Sequence, residues 1–184
     1  MGFFLEYKSE TMKQILLLDA HNYDETLPEL YRVAVRGIIF RDGKLLLIQS
    51  NFGELKFPGG GQEENETDMD TLVREVLEET GYHVIKESIH EFGEVVEKRL
   101  SVHESMIWHQ INRYYFCDID TNQEECKYTQ DEIECGFHQV WYTLEEAITI
   151  NQAMLDKEGV QAWNQREYTV LKMLKEQEDN LKLN

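Results

Sequence analysis

The chain has 184 residues, 41% of them hydrophobic and 11% aromatic, with eleven glycines and two prolines, which suits one globular core and excludes a disordered tail or linker. Eighteen lysines and arginines stand against 36 aspartates and glutamates, a formal charge of −18. Such a surface repels nucleic-acid backbones and anionic membranes, so neither is expected as a partner, and a small anionic substrate is admitted only where local cations or bound metals reverse the field.

The opening MGFFLEYKSE has no basic stretch leading into an apolar run, and no 18-residue apolar stretch occurs anywhere. Neither a secretory signal nor a membrane span is therefore expected. Gln14–Leu18 is a short apolar run that fits an opening strand within residues 1–30, an extension without an assigned role ahead of the main domain at 31–184. Tyr31–Phe40 is rich in β-branched and apolar residues and predicts a strand. Arg41-Asp42-Gly43 then predicts a tight hairpin, and Lys44–Gln49 a return strand buried on both faces.

Phe57-Pro58-Gly59-Gly60-Gly61 predicts a break in regular structure. A helix is expected from about Thr67 to Thr80, stopped by Gly81. Tyr82–Ile89 and Asn112–Asp118 predict further strands, and Val140–Tyr142 a short one. Thr143 and Glu146 form a capping box for a helix through about Met154. A last helix is expected over Val160–Lys175, with Val160, Trp163, Val170, Leu171 and Leu174 on its apolar face. Interspersed strands and helices predict a layered α/β or α+β fold. Cys117, Cys126 and Cys135 are odd in number and lack zinc-site spacing, so reduced thiols and a cytoplasmic location are expected.

The chemistry concentrates in PGGGQEENETDMDTLVREVLEETGY, Pro58 to Tyr82. From Gly59 onward it carries eight acids and one base, Arg74. At about 100° per residue, Glu79 lies about 40° from Glu75 and Glu78 about 60° the other way. The three carboxylates thus share one side, bordering the stripe of Met69, Leu72, Val73, Val76 and Leu77. Like charges at i, i+3 and i+4 destabilise a helix by a few tenths of a kcal/mol per pair, so a cation is expected there. Arg74 alone leaves the cluster negative. Hard divalent cations prefer oxygen ligands and are shared with substrate phosphates, and a Gly59-Gly60-Gly61 loop can bring its backbone close to a metal or a phosphate.

These residues resemble the box of the Nudix hydrolase family, G-x5-E-x7-R-E-U-x-E-E-x-G-U with U a bulky aliphatic. The matching positions are Gly60, Glu66, Arg74, Glu75, Val76, Glu78, Glu79 and Gly81. A chance match at seven fixed positions is on the order of 10⁻⁸ per start position at ordinary residue frequencies. Tyr82 in place of an aliphatic is the one departure. The resemblance implies an α/β fold, an α/β/α sandwich around a mixed sheet with a C-terminal helix, in which the box is loop–helix–loop. It implies a pyrophosphohydrolase that cleaves a diphosphate bond in a nucleoside diphosphate linked to another moiety, of nucleoside triphosphate or nucleotide-sugar type.

It further implies Glu75, Glu78 and Glu79 as ligands of Mg2+, or of Mn2+, with the Gly60 carbonyl as a fourth. Arg74 would orient these glutamates and Glu66 would support the loop. The general base would be a box glutamate or one from a downstream loop, for which Glu97 and Glu104, with Glu94 behind them, are the candidates. Gly59, Gly60, Gly61, Arg36 and Lys56 are candidates to bind substrate, and Arg32 joins Arg36 and Lys56 as a scarce cation able to meet phosphate. For Arg36, inside a strand, the competing expectation is pairing with an acid. Trp108, between predicted strands with His103 and His109, is a candidate to stack on a base, with a plain core or rim role the stronger expectation. The proline, tyrosine and arginine-bearing stretches that mark the ADP-ribose, dinucleoside polyphosphate and coenzyme A subfamilies are absent at the corresponding positions. A homodimer is open to the chain. The competing function is a nucleotide-binding or regulatory module of the same fold without turnover. An isomerase of isopentenyl diphosphate, which shares the fold, needs a cysteine in an early strand, and the first cysteine is Cys117.

Overall fold

A computed structural model describes residues 12–101, 105–160 and 162–182. The chain opens with β1 (Gln14–Asp19), β2 (Glu29–Ile38), β3 (Phe40–Arg41), β4 (Lys44–Gln49), β5 (Leu55–Lys56) and β6 (Gly59–Gly61), followed by helix α1 (Asp68–Thr80). Two long strands come next, β7 (Tyr82–Leu100) and β8 (Ile107–Gln123), then α2 (Gln130–Glu134), β9 (His138–Tyr142), α3 (Leu144–Met154) and α4 (Asn164–Lys182).

The larger sheet is mixed, in the order β1-β7-β8-β2-β6. β1 runs parallel to β7 and β2 parallel to β8, while the β7–β8 and β2–β6 pairs are antiparallel. The smaller sheet joins β3, β4, β5 and β9 through antiparallel pairs. The β3–β4 turn places Asp42 at φ 51° and Gly43 at φ 75°. Two positive central angles are what an Asp-Gly hairpin of matching twist requires.

Strand alternation builds two cores. Leu45, Leu47, Ile38 and Tyr114 point into one, with Leu144 and Ala147 of α3 and Val170, Leu171 and Leu174 of α4. Leu46, Val35, Ile39 and Tyr115 point into the other, with Leu72 and Val76 of α1. Neighbours in sequence thus face opposite layers, and Leu45 to Ile48 are all fully buried. The result is the expected sandwich, with α1 on one side of the strands and α3 and α4 on the other.

Four elements depart from the sequence expectation. β7 and β8 extend well beyond Tyr82–Ile89 and Asn112–Asp118, with register shifts at Tyr82/Val84, Ile85/His90 and Glu91/Gly93. Each shift resets the period-2 pattern, which hides a long strand in the sequence. Gly59–Gly61 forms a strand instead of a break. The last helix begins at Asn164, so Val160 and Trp163 precede it. No described helix is long and apolar enough to cross a membrane.

Candidate functional site

The site is assembled by the β2–β6 pair and the helix that follows it. β6 aligns Gly59 with Arg36, Gly60 with Val35 and Gly61 with Ala34. Gly59 lies at φ 139°, and a Cβ there would fall 2.0 Å from the Val35 carbonyl oxygen. Only glycine lets the backbone run this close. Arg36 Nη1 donates to the Gly59 carbonyl. No described acid pairs with Arg36, so the expectation of an acid partner gives way to a backbone one. Gly60 opens a different space. A Cβ there would lie 2.4 Å from each carboxylate oxygen of Glu75, so the Glu75 head group rests directly on the glycine backbone.

Helix α1 starts at a reciprocal capping box. Thr67 Oγ1 accepts from the Asp70 amide at 3.2 Å, and Asp70 Oδ2 accepts from the Thr67 amide at 3.0 Å. Gly81, at φ 72°, closes the helix. Glu78 and Glu79 occupy the last turn, where the helix dipole is negative, and no base of α1 accompanies them there. Their placement is unfavourable within the helix alone, so the offsetting charge comes from outside the last turn.

Arg74 gives part of it. Its Nε and Nη2 grip Glu66 at 2.6 and 2.8 Å, its Nη1 reaches Glu75 at 2.7 Å and Glu78 at 3.4 Å, and Nη2 also donates to the Gly61 carbonyl at 3.1 Å. Glu66 additionally accepts from Thr71 Oγ1 and the Glu63 amide at 2.8 and 3.0 Å. The Arg74 hydrogen bonds, helped by these two donors, hold the Glu66 carboxyl down at about 2. The same bonds raise the Arg74 guanidinium, Glu66 contributing most.

Lys56 of β5 gives the rest. Its Nζ lies 2.6 Å from Glu79 Oε1, while Glu79 Oε2 accepts from the Gly59 amide at 2.8 Å. Glu79 is 1% exposed and Lys56 8%. Burial raises the Glu79 carboxyl, with Lys56 and the Gly59 amide pulling the other way. The three box glutamates therefore differ: Glu79 is buried and clamped, Glu75 is tucked against Gly60, and Glu78 is the most exposed, at 41% of its side chain.

With Arg74 and Lys56 so placed, no three described acid, histidine or cysteine side chains are already arranged around a metal position. The donor set nonetheless suits a hard divalent cation, being wholly oxygen: three carboxylates and the backbone of a glycine whose missing Cβ admits Glu75.

Glu97 lies on β7 and shares a cleft with Arg32 and Arg36. Its Oε2 accepts from Asn112 Nδ2 at 2.9 Å and from Arg166 Nη1. Arg166 also bonds Glu167 and Tyr114, and Glu167 accepts from the Phe57 amide at 3.2 Å. This buried network ties α4 to the segment just before the glycines. Sequence reasoning missed it, although Glu167 precedes Val170, Leu171 and Leu174 by three, four and seven residues. A carboxylate on the apolar stripe of a helix is a signal for a buried partner. Trp108 and His109 lie within β8. Trp108 carries the guanidiniums of Arg99 and Arg32 at 5.2 and 5.8 Å from its ring centre, and His109 bonds Glu29. Glu104 and His103 fall outside the described residues.

The NUDIX domain family model matches residues 30–163. The chain belongs to the NUDIX domain family. A NUDIX hydrolase from Nitrosomonas europaea superposes with a TM-score of 0.52 at 21% identity, over 77% of this chain and 90% of that one, which shows the shared fold. A "MutT-like protein" of Streptomyces ambofaciens is 40% identical over 72 residues, 38% of this chain and 47% of its own. A "probable DHNTP pyrophosphohydrolase" of Lactococcus lactis subsp. cremoris is 33% identical over 85 residues, 44% of this chain and 51% of its own. The chain thus spans about half the length of the curated relatives it matches. The box helix and its glycine strand lie inside the family match.

Proposed function

We propose that the protein is a metal-dependent pyrophosphohydrolase that cleaves a diphosphate bond in a nucleoside diphosphate linked to another group, in the cytoplasm. The observation that carries this reading is the meeting of Gly60 with the Glu75 carboxylate, while Arg74 joins Glu66, Glu75 and Glu78 in one array. A helix face this acidic, laid against bare backbone, is built to share a cation with an anionic substrate. The pyrophosphohydrolase among the relatives supports the same bond class.

Glu75, Glu78, Glu79 and the Gly60 carbonyl are the proposed ligands, with Mg2+ the first choice and Mn2+ the alternative. When bound, the cation supplies neutralisation of the diphosphate oxygens and activation of the attacking water. The protein's own groups do the rest. Arg74 fixes Glu75 and Glu78, and Lys56 with the Gly59 amide holds the buried Glu79 carboxyl in place. Arg36 fixes the Gly59 carbonyl and with it the strand that faces the substrate. Glu97 spends Oε2 on Arg166 and Asn112, so it is assigned a positioning role and the base is sought in the box.

The test is incubation with magnesium and a panel of nucleoside diphosphate derivatives, reading phosphate after coupled phosphatase treatment, with Glu78→Gln as control. The expected outcome is turnover by the native protein and a loss of at least a hundredfold in the variant, several kcal/mol of transition-state stabilisation at about 1.4 kcal/mol per tenfold. Equal inactivity on every compound leaves the competing reading, a binding module of the same fold.

A further inference from the structure

Beside the glycine strand lies a cleft of about 200 Å³, lined by Arg32 and Arg36 of β2, Glu97 and Arg99 of β7, Trp108 of β8 and Arg166 of α4. In a chain of charge −18, four guanidiniums on one small cleft need an explanation. Arg166 is balanced by Glu97 and Glu167. Arg32, Arg36 and Arg99 form no ion pair with a carboxylate among the described residues. Their contacts are the Trp108 ring, the Leu100 carbonyl and the Gly59 carbonyl. Arg36 is 8% exposed, and its buried Nε has no hydrogen-bond partner in the described structure. A buried donor is left unpaired only at a cost, which an acceptor from a ligand removes.

Trp108 has the guanidiniums of Arg99 and Arg32 over its ring, which fits the rim role that the sequence set against base stacking. The indole holds Arg32 and Arg99 near one another. Arg32 also lies against Gly61, with Nη2 2.6 Å from where a Cβ would be, so the cleft opens directly onto the glycine strand. Burial first, then the neighbouring Arg36 and Arg166, lower the Arg32 guanidinium below its ordinary value, with the Glu75 carboxylate pulling the other way. Sites that enclose a whole small molecule measure roughly 300–1,000 Å³. This cleft takes one arm of a substrate.

We infer that Arg32, Arg36 and Arg99 form a site for a phosphoryl group of the substrate outside the cleaved diphosphate, so that the protein prefers substrates with a further phosphate over those whose attached group is uncharged. The inference rests on the proposed function for its position beside the bond cleaved. The distal phosphate of a nucleoside triphosphate and a phosphate on an attached sugar share this chemistry. Guanidinium pairs are suited to both through bidentate bonds.

The first arm of the test is calorimetric titration of the full chain with inorganic triphosphate in excess EDTA, which keeps the box carboxylates bare and repulsive. The native protein is expected to bind, and Arg32→Gln/Arg99→Gln to bind at least tenfold more weakly. Arg99→Gln alone keeps Arg32 in place and gives a smaller loss in the same direction. Equal affinity in native and variant proteins, or no binding by the native protein, overturns the inference. In the second arm, kcat/KM is compared for a nucleoside triphosphate, a nucleoside diphosphate sugar and the same nucleoside diphosphate sugar bearing a further phosphate on its sugar. The double variant is expected to lower the ratio of a phosphate-bearing substrate to the uncharged one at least tenfold. The compound whose ratio falls identifies the source, and unchanged ratios for both overturn the inference. If the native protein turns over none of them, the hydrolase reading fails while the calorimetric arm still decides the arginine site.

Discussion

Replacing Gly60 by alanine separates the two things a glycine in the box can do, keeping the fold and admitting a carboxylate. The added Cβ would meet both Glu75 oxygens at 2.4 Å, and ordinary contact begins at 3.4 Å, so the head group must retreat by about 1 Å. Its neighbours do not block that retreat, because the clashing atoms are the far end of a flexible side chain. The Gly60 backbone is not in the left-handed region, so alanine fits it. The stability lost is the Arg74–Glu75 pair, about 1 kcal/mol or less at a partly exposed site, offset by the lower unfolded-state entropy of alanine, about 0.4–1 kcal/mol. A 1 Å misplacement of a group that positions the reaction costs about 10²-fold in rate, or about 2.7 kcal/mol. Gly60→Ala should therefore melt within a few degrees of the native protein and lose about a hundredfold in kcat/KM in the coupled phosphate assay. Gly59→Ala is the contrast: its Cβ would strike the Val35 carbonyl at 2.0 Å and the Arg36 Cα at 2.9 Å, at φ 139°, so it should fail to fold. A Gly60→Ala protein within threefold of native activity, or one destabilised as severely as Gly59→Ala, would refute the reasoning.

Lys56→Met leaves the Glu79 carboxylate buried without its cation. It should cost about 3–5 kcal/mol by urea unfolding at pH 7.5, and the deficit should shrink toward pH 5 as Glu79 becomes free to protonate; a small, pH-independent deficit would argue against a buried ion pair. Glu66 is held at about 2, below its ordinary 4.5. Its contribution to stability should be complete above pH 4.5 and be lost as pH falls toward 2. The native protein and Glu66→Gln should accordingly converge in melting temperature over that window, and parallel curves would count against the Arg74 clamp. Glu167→Ala takes one of two carboxylates from the buried Arg166, leaving it Glu97, and frees the Phe57 amide, so urea unfolding should show a loss of about 1–3 kcal/mol; a loss under about 1 kcal/mol would mean that water reaches Arg166.

The parts of the fold legible in the sequence are those whose signals are local. The Asp42-Gly43 turn, the Thr67 and Thr143 caps and the Gly81 stop each depend on residues within one turn of the chain. The α1 wheel placed Glu75, Glu78 and Glu79 beside the buried stripe by period alone. What stayed hidden depends on partners far away in sequence. Glu79 meets Lys56 across 23 residues, and Glu97 meets Arg166 across 69. Nothing near Gly59–Gly61 announces that β2 will pair with it, since three glycines carry no side-chain pattern. β7 escaped for a different reason: its bulges break the alternation by which a strand is recognised.

The distribution of arginine resolves the conflict between a chain of charge −18 and the anionic substrate proposed for it. Of the seven arginines in the sequence, five (Arg32, Arg36, Arg74, Arg99 and Arg166) lie at the box or in the adjoining cleft. Charges separated by more than about 8 Å of salt solution are largely screened, so the surface acids have little influence inside the cleft. What an entering phosphate meets is set by groups within a few ångströms, and there the sign is reversed. Arginine suits this better than lysine, since it stays charged when partly desolvated and rests on an indole without losing its donors. The box helix needs the opposite arrangement, carboxylates with only enough cation to hold them in place. The two meet at Gly59–Gly61, where Arg36 takes the carbonyl of one glycine and Glu75 the space over the next. A strand without side chains is what allows a positive cleft and a negative helix face to stand so close without neutralising each other.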